Sequence, residues 1–234
     1  MNTRNAFRIR LGGLVWLASG VLIVLGLFMR GPQMDPRLNP AGYAQAATAP
    51  TFGTAWVLLL LSATLELLAT LALYAYLAAG PADGAAVGGG TAFWGMVLSV
   101  AGAALYLVFT GSFAFVAPVL GRLYLQGDQG VIAAAVSAFY SGPATAILYP
   151  SGILGSLGSI LLGIAIWRSG TLPRWTGVLF ALHTPLLAFA PPFSYPLEFL
   201  GGVALLLSGA WLARYMLTRP APAAAMPAGR VVHA

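Results

Sequence analysis

Long apolar runs restrict the fold of this chain more than any other feature. The stretch "LLLLSATLELLATLALYAYL", residues 58–77, holds a single charged side chain, Glu66. About twenty apolar residues in a helix cross the hydrocarbon of a bilayer. There, backbone groups can be satisfied only within helices or closed barrels. These runs are too long and too uniformly apolar for barrel strands, so the sequence predicts an all-α bundle of membrane-spanning helices.

The composition leads to the same class of protein. Hydrophobic residues make up 59% of the 234 residues and charged residues only 7%, whereas about a quarter of a soluble domain is charged. A soluble form would expose large apolar patches, so the expected surroundings are a lipid bilayer. The net charge of +6 comes from 11 arginines against five acidic residues. Since no basic surface is interleaved with aromatic residues, we predict no nucleic-acid partner.

Missing residue types exclude several chemistries. The chain has no Cys and no Lys, which rules out disulfides, thiolate metal sites, iron–sulfur clusters and a Schiff-base lysine. His183 and His233 are the only histidines, and His233 lies in the C-terminal tail. No zinc-protease motif or phosphate-binding Gly-rich loop is present. We therefore predict no metal, no cofactor and no catalytic residues.

Six membrane spans are predicted within one membrane domain, residues 1–217. They cover about 11–29, 54–79, 93–120, 144–167, 175–190 and 196–217. The first span follows a basic start but lacks a nearby cleavage site, so we expect it to remain uncleaved. The Pro- and Gly-rich residues 30–53 predict a long loop with a short helix near Tyr43. Residues 218–234 predict a disordered cytoplasmic tail.

Residues 130–168 allow two interpretations. They could form two short spans divided at Pro150, giving seven in total, or one span at 144–167 preceded by an interfacial helix at 131–141. With six spans and both termini cytoplasmic, only Arg30, Arg37 and Arg122 lie outside. With seven spans, the last five arginines would also move outside, against the positive-inside bias. We therefore predict six spans. The Lys-free composition, rich in Arg, Ala and Gly, suggests a GC-rich bacterial genome, so the expected location is a bacterial cytoplasmic membrane.

A stripe of small residues follows the fourth predicted span. Its members are Ser151, Gly155, Ser159 and Gly163, four residues apart. Gly95, Ser99 and Ala103 repeat the pattern in the third span. Small residues let membrane helices approach closely. The stripe predicts packing within the bundle, or alternatively a seam with a second copy or another membrane protein.

Glu66 is a candidate functional residue because it lies about 18 Å into the second span at 1.5 Å per residue. Together with Ser62 before it and Thr70 and Tyr74 after it, Glu66 forms a series at four-residue spacing that predicts a polar stripe on one helix face. An ionised carboxylate facing lipid is costly, so this face should point into the bundle. The alternative is a protonated Glu66, hydrogen-bonded to Ser62 or to a backbone carbonyl and merely tolerated.

His183 lies at the same predicted depth, about 12 Å from the other end of the fifth span. If the second and fifth spans are neighbours, pairing with Glu66 satisfies both side chains. Pro185 should free the carbonyl of Ala181 as a further acceptor. A carboxylate and an imidazole can exchange a proton near physiological pH, which predicts a proton- or ligand-binding site. Glu198, near the start of the last span, is instead expected to complement the helix dipole at the outer interface.

The segment "GIAIWRSGTLPRWTGVLFAL" carries a resemblance. A span ending in Arg-Ser-Gly, followed by Leu-Pro-Arg-Trp opening the next span, resembles uncharacterised multi-pass membrane proteins of actinobacteria and related bacteria, grouped under domains of unknown function. The similarity is clearest over residues 150–217. It implies a bacterial six-span protein, without implying an activity or any site residue.

Three function classes follow from these features. The first is a small-molecule or proton-linked binding or transport protein built around Glu66 and His183. The second is a structural or accessory subunit that packs through the small-residue faces. The third, an intramembrane enzyme acting on lipid, lacks a visible nucleophile or metal set.

Overall fold

The computed structural model describes residues 3–78, 89–140 and 143–218. The predicted all-α fold is confirmed, because these residues form nine α-helices and no strand. In chain order they are α1 (Thr3–Arg30), α2 (Pro40–Thr48), α3 (Pro50–Ala78), α4 (Gly89–Phe115), α5 (Ala117–Leu125), α6 (Gly130–Tyr140), α7 (Pro143–Ser169), α8 (Arg174–Phe189) and α9 (Tyr195–Thr218). The predicted tail, with His233, lies outside the described residues from position 219 onward.

Five of the described helical segments are long and apolar enough to cross a membrane. They are Phe7–Arg30, Pro50–Ala78, Gly89–Leu125, Ala144–Ser169 and Tyr195–Thr218. The remaining predicted span, the fifth at residues 175–190, corresponds to α8, which has only 16 residues. At 1.5 Å per residue that is about 24 Å, less than a hydrocarbon layer of about 30 Å. A crossing by α8 therefore stays a prediction.

The helices near Pro150 decide between the two interpretations of residues 130–168. Pro150 lies inside the continuous helix α7, so the chain is not divided into two short spans there. Helix α6 (Gly130–Tyr140) occupies the position expected for the short preceding helix. Helix α2 (Pro40–Thr48) likewise forms the short helix expected near Tyr43, with Asn39 accepting a hydrogen bond from the backbone N–H of Gly42.

Six of the described helices form a closed ring. Helix α1 packs against α3, α3 against α4, α4 against α7, α7 against α8, α8 against α9, and α9 against α1. Helices α3 and α8, which carry Glu66 and His183, are not adjacent in this ring. The condition considered from the sequence, that the two spans are neighbours, is therefore not met, and any contact between the two side chains must cross the interior.

Glycines set the close approach of α4 and α7. A Cβ added at Gly102 would lie 2.4 Å from the backbone nitrogen of Gly155. A Cβ at Gly158 would lie 2.3 Å from the backbone nitrogen of Ser99. Neither distance is compatible with a side chain, so the backbones are in direct contact. Small residues allow this packing where lipid removes the hydrophobic drive for helix association.

The small-residue stripe of α7 packs against α8 as well. A Cβ at Gly163 would meet the carbonyl oxygen of Gly177 at 2.5 Å, and one at Gly155 would meet the Thr184 methyl at 3.2 Å. The Ser159 hydroxyl lies 3.5 Å from the carbonyl oxygen of Ala181. Much of the stripe is thus covered within the chain, which agrees with packing inside the bundle rather than with an open seam.

Two apolar clusters fill the two ends of the ring. At the end that contains Arg30, the short helices α2, α5 and α6 contribute to a cluster with the long helices; its buried members include Leu27, Tyr43, Trp56, Phe113, Ala117 and Ile132. We call this the Arg30 end. The opposite cluster, here called the apolar plug, includes Trp16, Leu73, Leu162, Ile166, Phe180 and Leu212.

Candidate functional site

A cavity of about 90 Å³ lies inside the ring, between the Arg30 end and the apolar plug. All six ring helices contribute to its lining. A single water molecule needs roughly 10–15 Å³ of cavity volume when volume is measured at the centre of a water-sized sphere. Several waters or one small molecule would therefore fit. Along α3 the lining runs from Leu59 to Glu66, so the cavity is about 10 Å long at 1.5 Å per residue.

Residues with little side-chain volume keep the cavity open. The walls contributed by α3, α4, α7 and α8 include Ala63, Gly102, Ala103, Gly152, Gly155 and Ala188. The same glycines hold α4 and α7 backbone to backbone, so no large side chain can enter from that side. Larger apolar side chains, including Ile23, Leu59 and Leu187, complete the wall. The surface is thus mainly apolar, with a few polar groups at defined positions, as is typical of ligand sites.

Glu66 and His183 meet at the plug end of the cavity. Oε1 of Glu66 lies 3.0 Å from Nε2 of His183, across the ring from α3 to α8. The Glu66 side chain is 23% exposed, whereas that of His183 is 1% exposed. Glu66 lines the cavity, so a small molecule inside could reach the carboxyl group but not the ring behind it. We call these two residues the acid–imidazole pair.

Hydrogen bonding fixes one proton on His183. Nδ1 lies 2.5 Å from the carbonyl oxygen of Phe180. A carbonyl oxygen only accepts, so Nδ1 carries hydrogen and donates it. Nε2 faces both Glu66 and the Thr184 hydroxyl, the latter at 2.9 Å. Whether Nε2 carries a hydrogen therefore depends on whether the carboxyl group of Glu66 is protonated.

Two arrangements of the acid–imidazole pair satisfy this geometry. Either Glu66 is a neutral carboxylic acid that donates to an unprotonated Nε2, or Glu66 is a carboxylate that accepts from an imidazolium. Both hold one proton between Oε1 and Nε2, and both have zero net charge. An apolar surrounding favours such neutrality, because an isolated buried charge is costly. Loss of that proton would leave a carboxylate beside a neutral ring.

A second ion pair lies at the Arg30 end of the cavity. Nη2 of Arg30 donates to Oε2 of Glu198 at 2.5 Å, and both side chains are at most 5% exposed. Nε of Arg30 donates to the carbonyl of Gly31, and the guanidinium carbon lies 5.5 Å from the centre of the Trp56 ring. Both charged residues line the cavity. The positive charge of Arg30 is thus compensated in place by Glu198 and covered by an aromatic ring.

This ion pair adds a partner to Glu198, which was expected to complement the helix dipole at the outer interface. Glu198 does lie in the first turn of α9, but it is buried and bound to Arg30. The sequence contained a signal for the pair, because both residues were predicted at the same end of the bundle. Treating Glu198 only within its own helix missed a partner 168 positions away.

The polar stripe predicted on α3 does not form one surface. The hydroxyls of Ser62 and Ser19 lie 3.1 Å apart, and each donates to the other's backbone carbonyl, which joins α3 to α1. Thr70 donates to the carbonyl of Glu66 within α3, and Tyr74 packs against Phe93 of α4.

Helical geometry explains this separation. Four residues turn an α-helix by about 400°, so the stripe drifts by roughly 40° at each step. Ser62 and Tyr74 therefore face about 120° apart. Of the four stripe residues, Glu66 is the one that lines the cavity.

Pro185 acts on the α7–α8 contact rather than on the cavity. It cannot donate a backbone hydrogen bond to Ala181. The freed carbonyl faces the Ser159 hydroxyl at 3.5 Å, which is long for a hydrogen bond. The acceptor expected from Pro185 is therefore directed toward α7, away from the acid–imidazole pair.

The apolar plug closes the ring directly beyond the acid–imidazole pair. Nε1 of Trp16 donates to the carbonyl of Ala69 at 3.0 Å, and its ring packs edge-on against Phe180 at 5.0 Å. Phe180 in turn packs edge-on against His183 at 4.9 Å. Side chains as bulky as these leave the cavity bounded by the plug on one side and by the Arg30–Glu198 pair on the other.

The described residues contain no group of three or more His, Asp or Glu side chains placed to hold a metal ion. A site here consists of two carboxylates, one guanidinium and one imidazole. Compared with known proteins, the chain matches no family model, no curated protein and no solved structure. The resemblance carried by residues 150–217 thus stays a prediction, and the function has to be inferred from the cavity itself.

Proposed function

We propose that this protein is a six-span protein of the bacterial cytoplasmic membrane, which binds a small molecule in the central cavity and couples binding to protonation of Glu66 and His183. This proposal rests on one observation: the cavity ends at the acid–imidazole pair, with Glu66 in its wall and in contact with His183. Ionisable groups inside a membrane are rare and costly, and they commonly mark substrate or proton pathways.

The two other function classes receive less support. An accessory subunit should have a tightly packed interior and a small-residue groove facing lipid, but α7 uses much of its stripe against α8. An enzyme acting on lipid should have a cleft at headgroup depth near Glu198 or Arg122. Glu198 is instead buried in an ion pair with Arg30, and Arg122 does not line the cavity.

Proton exchange at Glu66 can be tested without knowing the ligand. The protein would be reconstituted in lipid nanodiscs with ¹³C-labelled glutamate, and infrared spectra would be recorded across a pH titration. We expect a carboxyl signal that titrates and shifts in deuterated water, is lost in Glu66→Gln and altered in His183→Gln. Asp128→Asn is the matched control, because Asp128 is an exposed loop residue whose side chain accepts a hydrogen bond from the backbone N–H of Gly130 and lies far along the chain from either glutamate.

One result would contradict the proposal directly. If the titrating signal were identical in wild type and Glu66→Gln, Glu66 would not exchange protons with water, and the cavity would have no proton-linked role. Loss of the signal in Glu66→Gln alone, with no change in His183→Gln, would restrict the site to the carboxyl group.

Topology can be tested with single cysteines, since the sequence contains none of its own. With six spans and both termini cytoplasmic, a cysteine at Gln126 should react with an impermeant thiol reagent in intact cells. A cysteine at Ser169 should react only after the membrane is opened. Labelling of Ser169→Cys from outside would contradict the six-span arrangement.

A further inference from the structure

The charges around the cavity indicate which ligand it accepts. We infer that the ligand is a small, monovalent organic cation that binds the carboxylate of Glu66 and displaces one proton from the acid–imidazole pair. This inference rests on the function proposed above and adds the chemical class of the ligand and the proton stoichiometry. It depends on how each charged group at the cavity is already neutralised.

Arg30 is a poor binding site for an anion. Its side chain is 3% exposed, and its charge is paired with Glu198. Its Nε is held by the Gly31 carbonyl, and the Trp56 ring packs against its guanidinium. An anionic ligand would have to compete with Glu198 for the guanidinium and leave a buried carboxylate unpaired, which is strongly unfavourable.

Glu66 is the opposite case. Oε1 faces Nε2 of His183, while Oε2 has no hydrogen-bond partner among the residues that the structure describes. The group that neutralises Glu66 can itself lose its charge, because an imidazolium becomes a neutral ring when one proton leaves. A carboxylate would then face the cavity beside an uncharged His183. The negative charge created in this way attracts a cation.

The remaining lining fits an organic cation better than a metal ion. Tyr106 lines the cavity. An aromatic ring attracts an ammonium group over its face. Ile23, Leu27 and Leu187 supply apolar surface for a short hydrocarbon body. A metal ion would need more oxygen ligands than Glu66 provides, typically six to eight for calcium.

The proton balance of the exchange is simple. Before binding, Glu66 is a carboxylate beside an imidazolium, or equivalently an acid beside a neutral imidazole. An ammonium group enters, and its N–H groups donate hydrogen bonds to the carboxylate of Glu66. The shared proton leaves for water in the cavity, Nε2 becomes an acceptor, and Nδ1 keeps its hydrogen on the Phe180 carbonyl. One positive charge enters and one leaves, so the net charge of the site is unchanged.

Few other titratable groups face this exchange. Arg30 on α1, Tyr106 on α4 and Glu198 on α9 line the same cavity, whereas α7 contributes only Ser151, Gly152 and Gly155. Arg30 and Glu198 neutralise each other. The acid–imidazole pair, which meets the cavity through Glu66, can thus release a proton without breaking the buried ion pair of Arg30 and Glu198.

The test uses three probes with the same four-carbon chain: butylammonium, butanol and butyrate. Binding to the full-length protein in nanodiscs would be measured by isothermal titration calorimetry in buffers of different ionisation enthalpy, with empty nanodiscs as blank. We expect butylammonium to bind with release of one proton. Its Kd should rise tenfold for each pH unit lowered in the range where the pair holds its proton. Butanol and butyrate should bind at least tenfold more weakly.

Variants separate the parts of this inference. Glu66→Gln should abolish both butylammonium binding and proton release, while Asp128→Asn should retain both. Tyr106→Leu leaves Glu66 intact and should weaken butylammonium binding by about two- to thirtyfold, the range expected for a lost cation–π contact. Proton release per bound cation should stay at one in this variant.

Each other outcome overturns the inference in a distinct way. Tighter binding of butyrate would assign the cavity to anions and Arg30, and equal binding of butanol would assign it to neutral molecules. Binding of butylammonium without proton release would show that the cation does not displace a proton from the acid–imidazole pair. If none of the probes binds while the infrared signal of Glu66 still titrates, the cation inference fails and the proposed function stands. If that signal is also independent of Glu66, both fail.

Discussion

Replacing Gly102 by alanine tests the helix packing that surrounds the cavity. The new Cβ would lie 2.4 Å from the nitrogen and 2.7 Å from the Cα of Gly155, and 2.8 Å from the carbonyl oxygen of Ser151. All three atoms belong to the backbone and cannot rotate away. Because ordinary contact begins at 3.4 Å, α4 and α7 must separate by about an ångström.

The expected cost follows from a comparison with Gly111, in the same helix. A Cβ at Gly111 would meet nothing within 4 Å. Both substitutions gain about 1 kcal/mol or less from the better helix propensity of alanine, and this gain cancels in the difference. What remains is overpacking, which costs about 1–3 kcal/mol. Gly102→Ala should therefore be less stable than Gly111→Ala by about that amount.

Unfolding in mixed micelles would measure this difference. The purified variants would be titrated with a denaturing detergent at constant mild detergent, and tryptophan fluorescence would follow the transition. Since Gly102 and Gly155 both line the cavity, Gly102→Ala should also change butylammonium affinity, whereas Gly111→Ala should not. Equal free energies of unfolding for the two variants would refute the backbone contact between α4 and α7.

Two further predictions concern buried polar groups. Arg30→Gln or Glu198→Gln should each cost about 3–5 kcal/mol, because one buried charge loses its partner; thermal unfolding should show the double variant Arg30→Met, Glu198→Leu to be more stable than either, and wild-type stability of the single variants would contradict the pair. The Tyr43 hydroxyl is buried without a partner among the described residues, so Tyr43→Phe should stabilise the protein by ~1 kcal/mol. Burial raises the pKa of Tyr43 from its ordinary 10 to about 12. Because the unfolded chain releases the phenol proton more easily, wild-type stability should be unaffected by Tyr43 below pH 10 and fall as the pH rises to about 12, and unfolding of Tyr43→Phe should lack this fall.

The contact between Glu66 and His183 could be predicted because an apolar sequence leaves few partners for an ionisable group. Two such residues at one expected depth have a strong reason to meet, since isolated buried charges are costly. The prediction needed only helix rise and span boundaries. The pairing was considered on the condition that the two helices are neighbours, yet α3 and α8 are not adjacent in the ring and the side chains meet across its interior.

The ion pair between Arg30 and Glu198 shows why other contacts were missed. Each residue had a satisfactory local explanation, Arg30 in topology control and Glu198 beside a helix N-terminus. Local explanations carry no information about partners on another helix. The stripe of Ser62, Thr70 and Tyr74 failed for a related reason, because four-residue spacing was treated as one face over three turns.

The sequence by itself determined that this chain forms long apolar helices, because backbone groups in hydrocarbon must find their hydrogen bonds within helices or closed barrels. It also determined that one acid and one imidazole lie at matched depth in these helices. The tertiary structure alone decided the order of helices around the ring, the cavity inside it and the pairing of Arg30 with Glu198. These depend on how helix faces fit together. Where lipid removes the hydrophobic drive, that fit is set by small differences in side-chain volume, such as the glycines that bring α4 and α7 into contact.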